Sequence, residues 1–533
     1  MSGLSERVIE NWLISADERG YQAGLVAILL RQGHRVLYVS PHSSLEHGKD
    51  IVTLAPDGAL CAYQLKVGDI GTTDWRDIQG EVLEACLIPF QNLKPPANAV
   101  RKADRVILVL TGRVKDPVRN KIELINADHQ IQGIAPISLL EIDDLVALFA
   151  ERFESFMPAS TAGASEAIAL AAADGRGWPN KPALCRLFDG ILAKRGRTRV
   201  STRRALADLI VAADFASVPF VAAENHIAAL DVWTIAATHL VGAVSGIENR
   251  WTADFLAIAR ERISTYSSDL WTSTIDIADF SLGRMGDELV VDFRTQVVLG
   301  YLSATLNARV IDGLAESEAR SESAALVNWL RRPDTRLMPW SEGAWGVFLN
   351  LLLALRHTQL GVNLSITFAE RWLDLCAPGE RGFGFRDPYF TVEDAIEALL
   401  IPQQVVAEEL PASLSYSLEP LLHFLARRDE RRAVATRWKR ISRLDRAEFV
   451  PGEAEELAHW TVESGFIRQR PFPLTGSWTA IRDAALERPS TFLSGAQWLL
   501  PFFMCAYPHR VSCELSASLD YLTGAGRSKE RWH

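Results

Sequence analysis

Asp50, Gln64 and Lys66 are spaced so that one β-hairpin would bring a carboxylate, an amide oxygen and an ammonium onto a common surface. That set suits phosphodiester cleavage, which needs an ionised carboxylate to hold a divalent cation. Mg²⁺ takes oxygen ligands, commonly one or two carboxylates with water and phosphate completing the shell. Asp50 offers the carboxylate and the Gln64 side-chain carbonyl a neutral oxygen. Lys66 can orient or deprotonate an attacking water and neutralise charge developing on the phosphate.

The convergence depends on a turn. IleValThrLeu (51–54) and LeuCysAlaTyrGlnLeuLysVal (60–67) read as strands, and AlaProAspGlyAla (55–59) between them is a strong turn signal. Pro56 and Asp57 suit right-handed turn geometry, with Gly58 in the left-handed bulge position of a three-residue loop. In that register Ala55 faces Ala59 and Asp50 lies directly opposite Gln64. Strand alternation then places Gln64 and Lys66 on one face beside Asp50, with Tyr63, Leu65 and Val67 facing a core. A two-residue loop would turn Asp50 to the wrong face. The competing expectation is a solvated edge hairpin, because a lone Asp or Gln-x-Lys is common on exposed strands. Asp57 and Asp69 read as turn residues.

The surrounding elements alternate between helix and strand. A helix is predicted from Ser5 to Arg31, broken near Ser15 to Gly20 because Gly is a poor helix former, and ended by Gly33. Leu25, Ile28 and Leu29 share one of its faces. A strand follows at 34–39, then the hairpin, a helix from Trp75 to Leu87 and a buried strand at 105–110. Residues 137–156 read as an amphipathic helix carrying Leu139, Leu140, Leu145, Leu148 and Phe149. This order fits one α/β domain over residues 1–156.

HisGlyLysAspIle (47–51) with TyrGlnLeuLys (63–66) resembles the PD-(D/E)xK nuclease superfamily, and more narrowly the Mrr-type restriction endonucleases, in which Gln often replaces the middle acid. The resemblance spans roughly residues 15 to 150. It implies an α/β restriction-endonuclease-like N-terminal domain that binds Mg²⁺ or Mn²⁺ through Asp50 and Gln64, with Lys66 assisting the nucleophile. It implies DNA as substrate, with RNA also open, and a role in restriction or defence against foreign DNA. Partner proteins of a defence system would fit that role, and double-strand cleavage would favour a homodimer. The family's first-helix Glu corresponds here to Gln22, while Glu18 lies one turn earlier on the same face. Either would complete the metal shell. The displaced acid also leaves open a catalytically degenerate fold serving as a nucleic-acid-binding, scaffold or sensor subunit. Gln79 matches a polar position that often faces the site. Lys49 is a candidate DNA-backbone contact, a solvent-facing lysine being the default. His42 and His47 flank the motif without a second His at ligand spacing.

The net charge of −10 excludes a basic coat, so nucleic-acid contact must come from local patches. Two are visible. LysArgGlyArgThrArg (194–199) offers Arg195, Arg197 and Arg199, followed by Arg203 and Arg204. The second runs from Arg427 to Arg446 and offers Arg437, Lys439 and Arg440 around Trp438. Asp429, Glu430 and Asp445 lie within it, so a salt-linked helix face is the alternative there. A linker is predicted at 157–166, followed by a large all-α C-terminal region over 167–533, divided near 378–388. Thirteen of the fifteen tryptophans fall in that region, as a packed helical body requires. Six scattered cysteines match neither a disulfide framework nor a zinc site. No signal peptide is evident, and the apolar runs at 344–355 and 496–507 are shorter than the roughly 20 residues a transmembrane helix needs. A cytoplasmic protein with no transmembrane segment is expected. No nucleotide-binding GlyxxxxGlyLys, and no GlyxSerxGly or HisGluxxHis, occurs.

Overall fold

In a computed structural model, the described residues are 2–40, 48–90, 101–156, 170, 173–193, 198–244, 250–275, 288–332, 337, 339–376, 391–400, 414–442, 444–449, 467–470, 477–487, 496–507, 510–511 and 513–525. They form two compact units, Met1–Thr265 and Tyr266–His533. The predicted linker (157–166), the predicted division at 378–388, His42, His47, Arg195 and Arg197 lie outside the described residues.

The first unit opens with α1 (Ser2–Ser15) and α2 (Glu18–Arg31). They part where expected: the Asp17 carboxylate caps α2 by accepting from the Gly20 backbone N–H at 2.6 Å. Then come β1 (Arg35–Val39), β2 (Ile51–Leu54), β3 (Leu60–Lys66), α3 (Thr72–Leu87), β4 (Arg105–Leu110), α4 (Asp116–Gln132), β5 (Ile137–Leu140) and α5 (Ile142–Phe156). The sheet runs β1-β2-β3-β4-β5, with β1, β2 and β3 antiparallel and β3, β4 and β5 parallel.

Two elements depart from the sequence expectation. Residues 137–140 are a strand beside β4 rather than the first turn of a helix. A short apolar run fits either state, and here pairing with β4 decides it. α4 is additional: it starts with Pro117 in its first turn and stops at Gly133, whose φ is 67°. Its apolar face is thin, with Val118 and Ile122 buried against the sheet. The core beneath α3 and α4 gathers Ala62, Trp75, Val82, Val106, Leu108 and Ile137.

The first unit extends well past residue 156 because α2 is sandwiched. Nearly every side chain from Gly20 to Leu30 is buried, and the helix Arg199–Ala222 supplies a partner for it. Asp214 accepts from the Gly24 backbone N–H at 2.8 Å. Asp208 binds Arg31 at 2.5 Å. Trp12 meets Phe149 and Phe215 edge-on at 5.0 and 5.7 Å. Within Arg199–Ala222, the stretch Val200–Ala222 is long and apolar enough to cross a membrane by composition, yet 83% of its most apolar window is buried inside the protein.

The second unit is mostly helical, with the apolar helices Trp345–Ala354 and Leu500–Ala506 wholly buried. They account for the apolar runs at 344–355 and 496–507. The all-α expectation misses a small sheet in which β6 (Leu414–Ser415) pairs parallel with β7 (Asp445–Phe449), and β7 pairs antiparallel with β8 (Ile467–Arg470). AspArgAlaGluPhe and IleArgGlnArg lack the apolar alternation that marks a strand.

Candidate active site

The hairpin forms in the predicted register. Ala55 donates to Ala59 O at 2.8 Å, Gly58 donates to Ala55 O at 2.9 Å, and Gly58 has φ 84°. Pairing runs from Leu54 with Leu60 to Ile51 with Tyr63, so the next step sets Asp50 across from Gln64. Asp57 accepts from the Ala59 N–H at 3.0 Å and serves the turn, whereas Asp69, expected to do the same, accepts from the Arg113 N–H at 2.9 Å and ties the segment after β3 to the one after β4.

The hairpin is not a solvated edge. Every residue of β3 up to Leu65 is buried, with Asp50 4% and Gln64 3% exposed. Tyr63 and Leu65 are buried as expected, whereas Val67, predicted to face a core, is 45% exposed just past the strand end. The face carrying Gln64 also carries Ala62, and α3 covers it.

Three segments hold the polar trio in place. The Asp50 carboxylate accepts from the Leu65 backbone N–H at 2.6 Å, which ties the end of β2 to β3. α2 reaches the same point twice: Gln22 Nε2 donates to Asp50 O at 3.4 Å, and the Tyr21 hydroxyl donates to Lys66 O at 3.3 Å. α3 supplies Glu81, whose carboxylate lies 3.1 Å from Lys66 Nζ and accepts from Gln64 Nε2 at 3.4 Å. Glu18 Oε1 stands 3.5 Å from Lys66 Nζ. Gly48 lets the chain enter the site: its φ is 69°, and a Cβ there would collide with the Glu81 carbonyl.

Charge in this cluster is mutually dependent. Burial alone would lower the Lys66 pKa, but Glu18, Glu81 and Asp50 outweigh it and hold the ammonium above its usual range. Lys66 is therefore a firm cation here, suited to orienting and neutralising rather than to taking a proton. Burial pushes Glu18 above the usual carboxylate range, against the pull of Lys66. Gln64 Oε1 is buried with no hydrogen-bond partner among the described residues. An orphaned buried acceptor costs roughly 1–3 kcal/mol unless something occupies it.

Asp50, Gln64, Lys66, Glu18 and Gln22 are thus brought together. Glu81 is the addition that sequence reasoning missed. Its one signal is a position flanking the buried Trp75–Val82–Cys86 stripe of α3, which does not by itself say what the flank touches. Gln79 lies on the same helix, half-buried and about 200° around the axis from Glu81. Among the described residues it makes no hydrogen bond to the trio. Lys49 is not a surface contact: it is 3% exposed, and burial lowers its pKa against the opposing pull of Cys86 and Glu84.

The basic clusters fare differently. Arg199 begins a helix, but its side chain is outside the description. Arg437 grips both oxygens of Asp374 at 2.9 Å, and Arg440 binds the same carboxylate at 2.7 Å. Both are committed to Asp374 on the helix Gln359–Cys376, an acid outside the cluster, while Lys439 is exposed. All six cysteines are free thiols, five of them buried. Set against family models, curated proteins and solved structures, the chain matches none of them.

Proposed function

We propose that the first unit is a metal-dependent endonuclease of the restriction-endonuclease type that hydrolyses phosphodiester bonds in DNA. The supporting observation is the single cluster of Asp50, Gln64, Lys66, Glu18 and Glu81 at the end of the β2–β3 hairpin. The orphaned Gln64 Oε1, on the strand position across from Asp50, fits a hard divalent cation, because carboxylate and neutral oxygens are what Mg²⁺ or Mn²⁺ takes. Asp50 and Gln64 would hold the ion, with Glu18 or Glu81 completing the protein's share. Gln22 is better placed to fix the Asp50 main chain than to ligate. When bound, the ion polarises the phosphate and activates water.

The chain's own groups do the rest. Lys66, kept protonated by its acidic neighbours, donates hydrogen bonds to a phosphate oxygen or to the attacking water and offsets charge that grows on the phosphate. Tyr21 and Gln22 fix the backbone at Lys66 and Asp50, so the two side chains keep their spacing. Restriction of foreign DNA is the role this chemistry serves best, with cleavage of both strands requiring two such sites.

A second reading is a degenerate fold that binds nucleic acid or acts as scaffold or sensor. It is favoured by one observation: among the described residues no three of His, Cys, Asp and Glu group as a metal site, so an ion would depend on the Gln64 amide. Mn²⁺ titration followed by electron paramagnetic resonance separates the two. The nuclease reading expects a bound Mn²⁺ signal that Asp50→Ala removes and Gln64→Leu weakens. Absence of that signal in the wild type would leave only the degenerate fold.

A further inference from the structure

The second unit's basic cluster contains cations that its internal ion pairs do not consume. Arg427 and Arg428 bind buried Asp520, and Arg437 and Arg440 bind Asp374. Arg431, Arg432, Lys439 and Arg482 are exposed, and none has an ion-pair partner among the described residues. Arg431 lines a groove of about 320 Å³ together with Val434, Trp438, Trp478 and Ile481, and Arg432, Lys439 and Arg482 each adjoin a lining residue in the sequence. Both indoles are half-buried in it. Trp478 Nε1 donates to Asp429 Oδ1 at 3.3 Å, which fixes one ring. Asp429 itself sits at φ 55°, in the left-handed region.

A slot walled by two indoles, with exposed cations on the helices that line it, complements a chain in which aromatic rings alternate with anionic charges. Tryptophan stacks on any base, and arginine and lysine neutralise the phosphates between bases. A duplex offers no free base face to such a slot, and an acidic peptide offers the charge without the ring. We propose that this groove binds single-stranded nucleic acid by stacking an unpaired base on Trp438 and Trp478, with Arg431, Arg432, Lys439 and Arg482 on the backbone. Arg437 and Arg440, the sequence's candidates, act behind it by fixing the helix Trp438–Ile441 to Asp374. The proposal extends the nuclease reading to a second contact with the same class of substrate, and it holds or fails separately.

The test is fluorescence anisotropy of fluorescein-labelled oligothymidylate with the full-length protein in EDTA at low salt, where cleavage does not contribute. Trp438→Ala and Trp478→Ala should each weaken binding roughly tenfold. Trp438→Phe should recover most of it, which separates loss of stacking from loss of fold. Arg431→Gln and Arg432→Gln, both at the surface, should each lower the slope of log K against log salt by about 0.7. No binding at low salt, or binding indifferent to all four substitutions, overturns the proposal. So does tighter binding of a duplex of the same length, or competition by polyglutamate as effective as by unlabelled oligothymidylate. Plasmid cleavage with Mg²⁺ is scored in parallel: cleavage without oligothymidylate binding defeats the groove alone, and binding without cleavage defeats the nuclease reading alone.

Discussion

Each unit buries a carboxylate among polar neighbours, and the two are satisfied in opposite ways. In the second unit Glu342 accepts from Ser415 Oγ at 2.5 Å, from Ser417 Oγ at 2.9 Å, from the Ser417 N–H at 3.3 Å and from the Tyr416 N–H. Trp372 Nε1 donates to Ser417 Oγ at 2.8 Å and closes the network. Its donors are neutral, its acceptors are filled, and the carboxylate pins β6 to the helical body. In the first unit, the cluster around Asp50 and Gln64 mixes three acids with one lysine and leaves Gln64 Oε1 empty-handed. A buried polar network that closes on itself is a structural joint, whereas one that ends on an orphaned acceptor beside a cation and acids keeps an oxygen for a ligand, as the proposed function requires.

That contrast makes separable predictions. Lys66→Ala should reduce DNA cleavage by roughly 10²–10³-fold with the denaturation midpoint little changed, since it removes charge stabilisation during reaction. Unchanged cleavage would place the chemistry elsewhere. Gly48→Ala should lower cleavage by about 10²-fold, because the Cβ drives the 48–50 turn away from Glu81 and displaces Asp50. Glu342→Ala should do the reverse: a loss of about 3 kcal/mol in chemical denaturation, from stranding the Ser417 and Tyr416 donors, with the specific activity of the remaining folded protein retained.

Smaller in size is a pH effect in the first unit. Asp214 is fully buried, and burial raises its carboxyl pKa to about 7 against the pull of Arg262, 3.7 Å away, and of the Gly24 N–H; Asp17 adds a small upward push. The folded pKa exceeds the unfolded one, so the protonated form is favoured by folding. Its contribution is full below about pH 4 and lost as pH rises through about 7. The stability of wild type relative to Asp214→Asn should therefore fall between pH 5 and 7 by up to about 1.4 kcal/mol per pH unit, read from urea midpoints. A pH-independent difference would mean that Asp214 stays ionised throughout.

Legibility from sequence followed how local the determinants are. β2, β3 and β4 were readable because apolar runs and one Pro-Asp-Gly turn fix them, and the same turn fixes Asp50 against Gln64. The break before α2 falls within the expected span, but Asp17 marks it by capping the new helix, and Gly20 lies inside that helix. β5 was not, because IleSerLeuLeu becomes a strand only by pairing with β4. α4 was not, because its buried face is narrow. Glu81 was out of reach because its place depends on how α3 lies across the sheet. Lys49 is buried for a related reason: α3 covers a position that the strand pattern leaves open.

The most direct test of the central claim is conversion of supercoiled plasmid by the full-length protein with Mg²⁺ or Mn²⁺, against EDTA, for wild type and Asp50→Ala. The cluster at the end of the hairpin predicts nicked or linear product only from wild type with metal. Equal cleavage by Asp50→Ala, or cleavage in EDTA, would contradict it.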